Sequence, residues 1–209
     1  MSIDQKIKLL IESSTNQRKT EKYIKSYHFL FVKIEEMIKE SKNLTIAIDG
    51  YSSSGKTTLA HYIENIFDAN VFHMDDYFKS LKQDQTSTEF ASNIDFDRLK
   101  KEIIKPLLKQ EPIFYQSFDC KTQELSSLLK KEVKSVNIIE GAYSTHPLIE
   151  EIYDFKIFLK IGKIKQMIRI KKRNGLKKLK IFLNRWIPAE HAYFNHYSIE
   201  KTADIVIKV

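Results

Sequence analysis

The feature that most constrains this chain is the octapeptide Gly50-Tyr51-Ser52-Ser53-Ser54-Gly55-Lys56-Thr57, which matches G-x-x-x-x-G-K-[ST] without a substitution. A loop of this kind works between a strand and a helix, because it wraps backbone around an anion held at a helix N-terminus. Both flanks are present. The apolar run Leu44-Thr45-Ile46-Ala47-Ile48 predicts a buried strand before the loop, and residues 57–67 predict a helix after it, with Leu59, Ile63, Ile66 and Phe67 on one face. In that setting the glycines let the chain curl so that successive N–H groups point inward at phosphate oxygens. Lys56 then reaches the β- and γ-phosphates, and the Thr57 hydroxyl is placed to ligate Mg²⁺. The loop predicts a nucleoside triphosphate site.

From residue 44 onward apolar runs alternate with helical periodicity. Strands are expected at 44–49, 70–74, 135–140, 155–160 and 204–209, each short and rich in Ile, Val or Phe, as strands covered on both faces are. Between them, Phe96, Leu99, Ile103, Ile104 and Leu107 keep a helical spacing. The alternation predicts an α/β fold, a three-layer, doubly wound parallel sheet whose ligands bind at the carboxyl ends of the strands. Residues 1–43 predict a helical N-terminal extension ahead of a phosphate-loop domain at 44–209. One helix carries Ile3, Ile7, Leu10 and Ile11; a second, starting near Thr20, carries Tyr23, Ile24, Tyr27, Leu30, Phe31 and Ile34. The extension packs on the domain in one reading and binds a partner or dimerises in another.

The formal charge of +8 suggests nucleic acid until it is located. Residues 155–189 hold 12 Lys or Arg and no Asp or Glu; outside them 23 basic residues face 27 acidic ones. The basicity is therefore local, and serves a polyanionic small molecule, a nucleic acid or an acidic membrane surface equally well. No apolar run approaches the ~20 residues of a membrane span, and the charged start Met1-Ser2-Ile3-Asp4-Gln5-Lys6 lacks a secretory pattern. The single cysteine, Cys120, forms no internal disulfide, which fits a cytoplasmic location.

Two further acidic positions lie at strand ends. The second strand runs into Asp75-Asp76, two carboxylates that suit proton abstraction from a hydroxyl, Mg²⁺ binding or capping of a helix. The run Val136-Asn137-Ile138-Ile139 ends in Glu140-Gly141, where a second acidic residue serves the metal of a phosphate-loop protein. Arg169 and Arg173, at i and i+4, put two guanidinium groups on one helical face, suited to a transferring phosphoryl group; a solvated face is the plainer reading of the surrounding lysines.

Taken in order, these motifs resemble the uridine kinase family of phosphate-loop small-molecule kinases, with its relatives the nicotinamide riboside kinases and phosphoribulokinases. The resemblance rests on residues 50–58, Met74-Asp75-Asp76-Tyr77-Phe78, Asn93-Ile94-Asp95-Phe96, Phe118-Asp119-Cys120-Lys121-Thr122-Gln123, Ile139-Glu140-Gly141, the 169–173 segment and a closing Thr202-Ala203-Asp204-Ile205. It implies that residues 50–58, Thr58 included, bind ATP with Mg²⁺, that Thr57, Glu140 and Asp75 manage the metal, and that Asp75 is the general base. It also implies that Lys56, Arg169 and Arg173 act on the transferring group, and that Asp95, Tyr77, Phe118 and Gln123 contact the acceptor. The family's Tyr-Asp-Phe-x-Thr-His segment reads Phe118, Cys120 and Gln123 at its first, third and last positions here, so a nucleoside-like acceptor is implied without uridine being specified. The segment Arg185-Trp186-Ile187-Pro188-Ala189-Glu190 is read as packing of the last helix, with a part in the acceptor pocket as the alternative.

The expected function is thus an ATP- and Mg²⁺-dependent kinase with a small-molecule partner, no membrane partner, and homo-oligomerisation left open. The alternative is a regulatory or nucleic-acid-binding phosphate-loop NTPase that grips a backbone through residues 156–185, the less favoured partner class.

Overall fold

A computed structural model describes residues 1–41, 43–79 and 90–209. The chain opens with helices α1 (Ile3–Ser13) and α2 (Gln17–Glu40). Ser2 and Gln5 cap α1 reciprocally, and the Asn16 side chain accepts the Lys19 N–H at 3.1 Å. That cap starts α2 three residues ahead of Thr20.

Five strands form one parallel sheet: β1 (Leu44–Gly50), then, after α3 (Lys56–Phe67), β2 (Asn70–His73) and, much later, β7 (Val136–Glu140), β8 (Phe155–Lys160) and β9 (Ile205–Lys208). Their order is β2-β7-β1-β8-β9. Between β2 and β7 come a 3₁₀ turn (Met74–Tyr77), α4 (Phe96–Leu99), α5 (Lys105–Lys109) and the short strands β3 (Ile113–Tyr115), β4 (Phe118–Asp119), β5 (Glu124–Leu125) and β6 (Leu129–Lys131). After β8 follow α6 (Lys163–Ile181), α7 (Ile187–His196) and α8 (Ile199–Thr202). The five sheet strands match the expected ones to within a residue at each end. The antiparallel pairs β3–β6 and β4–β5 were not expected, since two or three residues are too few to show a period of two.

Strand alternation divides the core into two. Ile138, Ile157 and Leu159 join α1, α2 and α3 on one face; Ile139 and Phe158 join α4, α5 and α7 on the other. Both sides of β1, β7 and β8 are therefore covered, which is why apolar residues predominate along them. β9, at the edge, alternates half-buried with exposed residues. β1 leads to β2 beyond β7, whereas β7 leads to β8 beyond β1. The two adjacent strands thus depart in opposite directions, and a crevice opens at their carboxyl ends.

Two wide π turns interrupt the helices, Lys100–Ile104 and Phe182–Trp186. Each lies just ahead of a proline, Pro106 or Pro188, which has no N–H to give to the carbonyl four residues back. The ladder there bonds five back instead, from Lys105 N–H to Lys100 O and from Ile187 N–H to Phe182 O. The second π turn carries Phe182 and Trp186 to the crevice.

Candidate active site

The loop at residues 50–57 fills the mouth of the crevice. Gly50 has φ +135°, and a Cβ there would lie 2.2 Å from the Leu159 carbonyl oxygen, so only glycine fits. Several amides are committed to the loop itself: Gly50 N–H donates to Asp49 Oδ1 at 2.7 Å, Tyr51 N–H to Leu159 O at 3.2 Å, and Ser54 N–H to Tyr51 O at 3.1 Å. The inward-pointing set is consequently smaller than the motif alone suggests. Among the described residues, the amides of Ser53, Gly55, Lys56 and Thr57 meet no acceptor, and the buried hydroxyls of Ser53 and Ser54 meet no partner. A ring of orphan donors at the N-terminus of the 12-residue α3 fits a polyphosphate. Lys56 Nζ, the loop's own cation, is folded onto Gly50 O at 2.7 Å and Tyr51 O at 3.2 Å.

Asp49, which sequence reasoning passed over, holds this loop from below. It is wholly buried, and its Oδ2 accepts from Thr145 Oγ1 at 2.7 Å and from the Tyr193 hydroxyl at 3.3 Å. Burial pushes its carboxyl up, against the nearby charge of Lys56. The signal was present: a lone acid inside an apolar strand.

Thr57 Oγ1 donates to Glu140 Oε1 at 2.9 Å, and His73 Nδ1 lies 2.6 Å from the same oxygen. The Glu140 carboxylate raises the His73 imidazole accordingly. Asp75, in the 3₁₀ turn, lines the same cavity, and burial followed by the charge of Glu140 pushes its carboxyl up. Gly141, with φ +135°, lets β7 close on that turn, since a Cβ would stand 2.8 Å from Met74 Cβ. Asp76 points elsewhere, lining a separate hollow with Phe118 and Asp119. Glu140, Asp75 and Thr57 offer hard oxygen donors. Among the described residues no three His, Cys, Asp or Glu form a metal cage. Mg²⁺ suits such a set, because it takes one or two carboxylates and fills its octahedron with water and substrate phosphates.

The helix α6 brings Arg169 NH1 to Ser53 O and Ser54 O, both at 3.1 Å, and Arg173 to the rim of the cavity. Lys163, Lys165, Lys171, Lys172, Lys177, Lys178 and Lys180 are exposed. From α7, Glu190 accepts the Ser52 N–H with both carboxylate oxygens at 3.1 Å, and the Ser52 hydroxyl as well. The 185–190 segment therefore both packs and enters the site, through Trp186 and Glu190. The cavity measures about 670 Å³, with Phe78, Asn93 and Tyr143 also along its wall.

Four expected contact residues lie elsewhere, and the Tyr51 ring turns away from the loop. Tyr77 is a core residue, 1% exposed, its ring under the Arg98 guanidinium at 4.3 Å. Asp95 caps α4, accepting the Arg98 N–H at 3.0 Å. Phe118 lines the separate hollow, and Gln123 lies in the β4–β5 turn with its Nε2 donating to Cys120 O at 2.8 Å. Tyr51 packs edge-on against Phe194 and Phe158, so only its backbone belongs to the loop. Thr58 does line the cavity.

A parallel sheet of order β2-β7-β1-β8-β9 with a phosphate loop after β1 defines the phosphate-loop kinase fold. Solved structures agree. A possible uridine kinase from Bacillus stearothermophilus superposes with a TM-score of 0.70 at 23% identity, over 89% of this chain and 99% of that one. A candidate fructose transport system kinase from Silicibacter sp. TM1040 does so with a TM-score of 0.53 at 22% identity, over 79% and 90%. No protein-family model and no curated protein matches the chain.

Proposed function

We propose that this chain is an ATP- and Mg²⁺-dependent kinase that transfers the γ-phosphoryl group to a hydroxyl of a nucleoside-like small molecule. The observation that carries this reading is one cavity lined at once by the phosphate loop, Lys56, Thr57, Asp75, Glu140, Arg169 and Arg173. On this reading residues 44–209 are the kinase domain, residues 1–43 an extension, and the protein acts in the cytoplasm.

The chemistry is mostly positioning and charge neutralisation. The orphan amides of the loop bind the β- and γ-phosphates, and Lys56 leaves the Gly50 and Tyr51 carbonyls for phosphate oxygens. Asp75 accepts the proton of the acceptor hydroxyl as its oxygen bonds to the γ-phosphorus and the bond to the β–γ bridging oxygen breaks, releasing ADP. A Mg²⁺ ion held by Thr57 and Glu140 would neutralise phosphate charge. Arg169 and Arg173 stabilise the charge spread over the transferring group. Within the basic segment, the bonds of Arg169 to the Ser53 and Ser54 carbonyls of the loop support this reading.

The test is ³¹P NMR of a reaction containing Mg²⁺-ATP and nucleosides. A phosphomonoester on the acceptor supports the proposal; inorganic phosphate as the sole product, at the same rate without acceptor, overturns it.

A further inference from the structure

The cavity extends beyond the kinase machinery, onto the N-terminal extension. Lys19, Tyr23 and Tyr27, at i, i+4 and i+8 on α2, line it together with Thr58 and Arg169. The Tyr23 ring stacks between Tyr27, at 4.5 Å, and Tyr62 of α3, at 4.4 Å. Tyr62 lies one helical turn beyond Thr58, so the stack stands beside the start of α3. Apart from the neighbouring Tyr27 hydroxyl, no protein group among the described residues meets the buried Tyr23 hydroxyl. The positive charge of Arg169 reaches both hydroxyls.

Direction follows from the two cores. Asp75 follows directly on Met74, which packs with Tyr143 in the core on one side of the sheet, whereas Tyr27 of α2 and the apolar residues of α3 pack on the other. A triphosphate whose γ-phosphorus faces Asp75 runs back over the loop and directs its sugar and base toward α2. The guanine-reading Asn-Lys-x-Asp sequence is absent, and Phe182 and Trp186 add further aromatic lining to the same cavity.

We propose that α2 completes the nucleotide site, with the Tyr23–Tyr27 wall and Lys19 taking the base and ribose of the triphosphate. The N-terminal extension is then a working part of the site. The inference rests on the kinase reading above, which supplies the orientation of the triphosphate.

The test is calorimetric titration of the full-length protein with Mg²⁺-ATP and, separately, with inorganic tripolyphosphate, which lacks sugar and base. Wild type is compared with Lys19→Ala/Tyr23→Leu, whose folding is checked by its thermal unfolding midpoint. The double variant should raise the Kd for ATP about tenfold, through loss of the Lys19 and Tyr23 edge contacts to sugar and base, while the Kd for tripolyphosphate is unchanged. Equal ATP affinity in both proteins overturns the inference and leaves the kinase reading intact. An equal loss for both ligands also overturns it, since α2 would then act on the loop and not on the base. Wild type binding neither ligand overturns both.

Discussion

Ser52 and Glu190, separated by 138 residues in sequence, share a partly buried contact in which both carboxylate oxygens lie 3.1 Å from the amide. Burial pushes the Glu190 carboxyl up, while Lys56 and the Ser52 hydrogen bonds pull it partly back. A raised folded-state pKa means that the folded chain holds this proton more tightly than the unfolded one. The associated stability is full below the ordinary value of 4.5 and is lost as pH rises through the folded value. Glu190→Gln keeps a carbonyl acceptor and cannot ionise. Its thermal midpoint relative to wild type should therefore climb as pH rises from about 4 to about 8. A difference that stays flat over that range would contradict the assignment.

Asp75→Asn should lower turnover about a hundredfold or more, as loss of a general base does, with Mg²⁺-ATP affinity retained. Kinetics and direct binding separate the two effects. Near-normal turnover removes Asp75 from the role and turns attention to Asp76.

Thr57 and Glu140, 2.9 Å apart, leave room in their donor set for substrate phosphates. Chelation of divalent metal should abolish turnover, and added Mg²⁺ should restore it. Glu140→Ala should need several-fold more Mg²⁺ for half-maximal rate. A reaction indifferent to chelation would sink the metal assignment.

Gly141→Ala combines a left-handed backbone with a Cβ 2.8 Å from Met74. The strain should cost about 1–3 kcal/mol in chemical denaturation and shift the turn that carries Asp75. Wild-type stability together with wild-type turnover would show that the close approach is not needed.

Much of the fold was legible because burial on both faces makes β1, β7 and β8 predominantly apolar between helical patterns. The loop was legible because its glycines answer to local geometry. Contacts fixed by distant parts of the chain were harder to read. Glu190 left one trace, as the first acid after an acid-free stretch of 35 residues at 155–189. Tyr77 misled in the other direction, since its neighbour Asp75 faces the cavity while its own side chain turns into the core. Tyr23 and Tyr27 fitted an amphipathic helix so well that their position at a cavity wall could not be separated from ordinary packing. The π turns depend on where a proline removes one donor, a backbone effect that leaves the apolar periodicity unchanged.

Phosphoryl transfer from ATP to a hydroxyl within the one cavity is open to a direct assay. ADP release from Mg²⁺-ATP, measured across uridine, cytidine, other nucleosides, nicotinamide riboside, pantothenate and simple sugars, with Asp75→Asn as control, tests it most directly. ADP release should depend on a nucleoside-like acceptor and be lost in the control. ADP release at one rate whatever acceptor is present, or undiminished in Asp75→Asn, would contradict it.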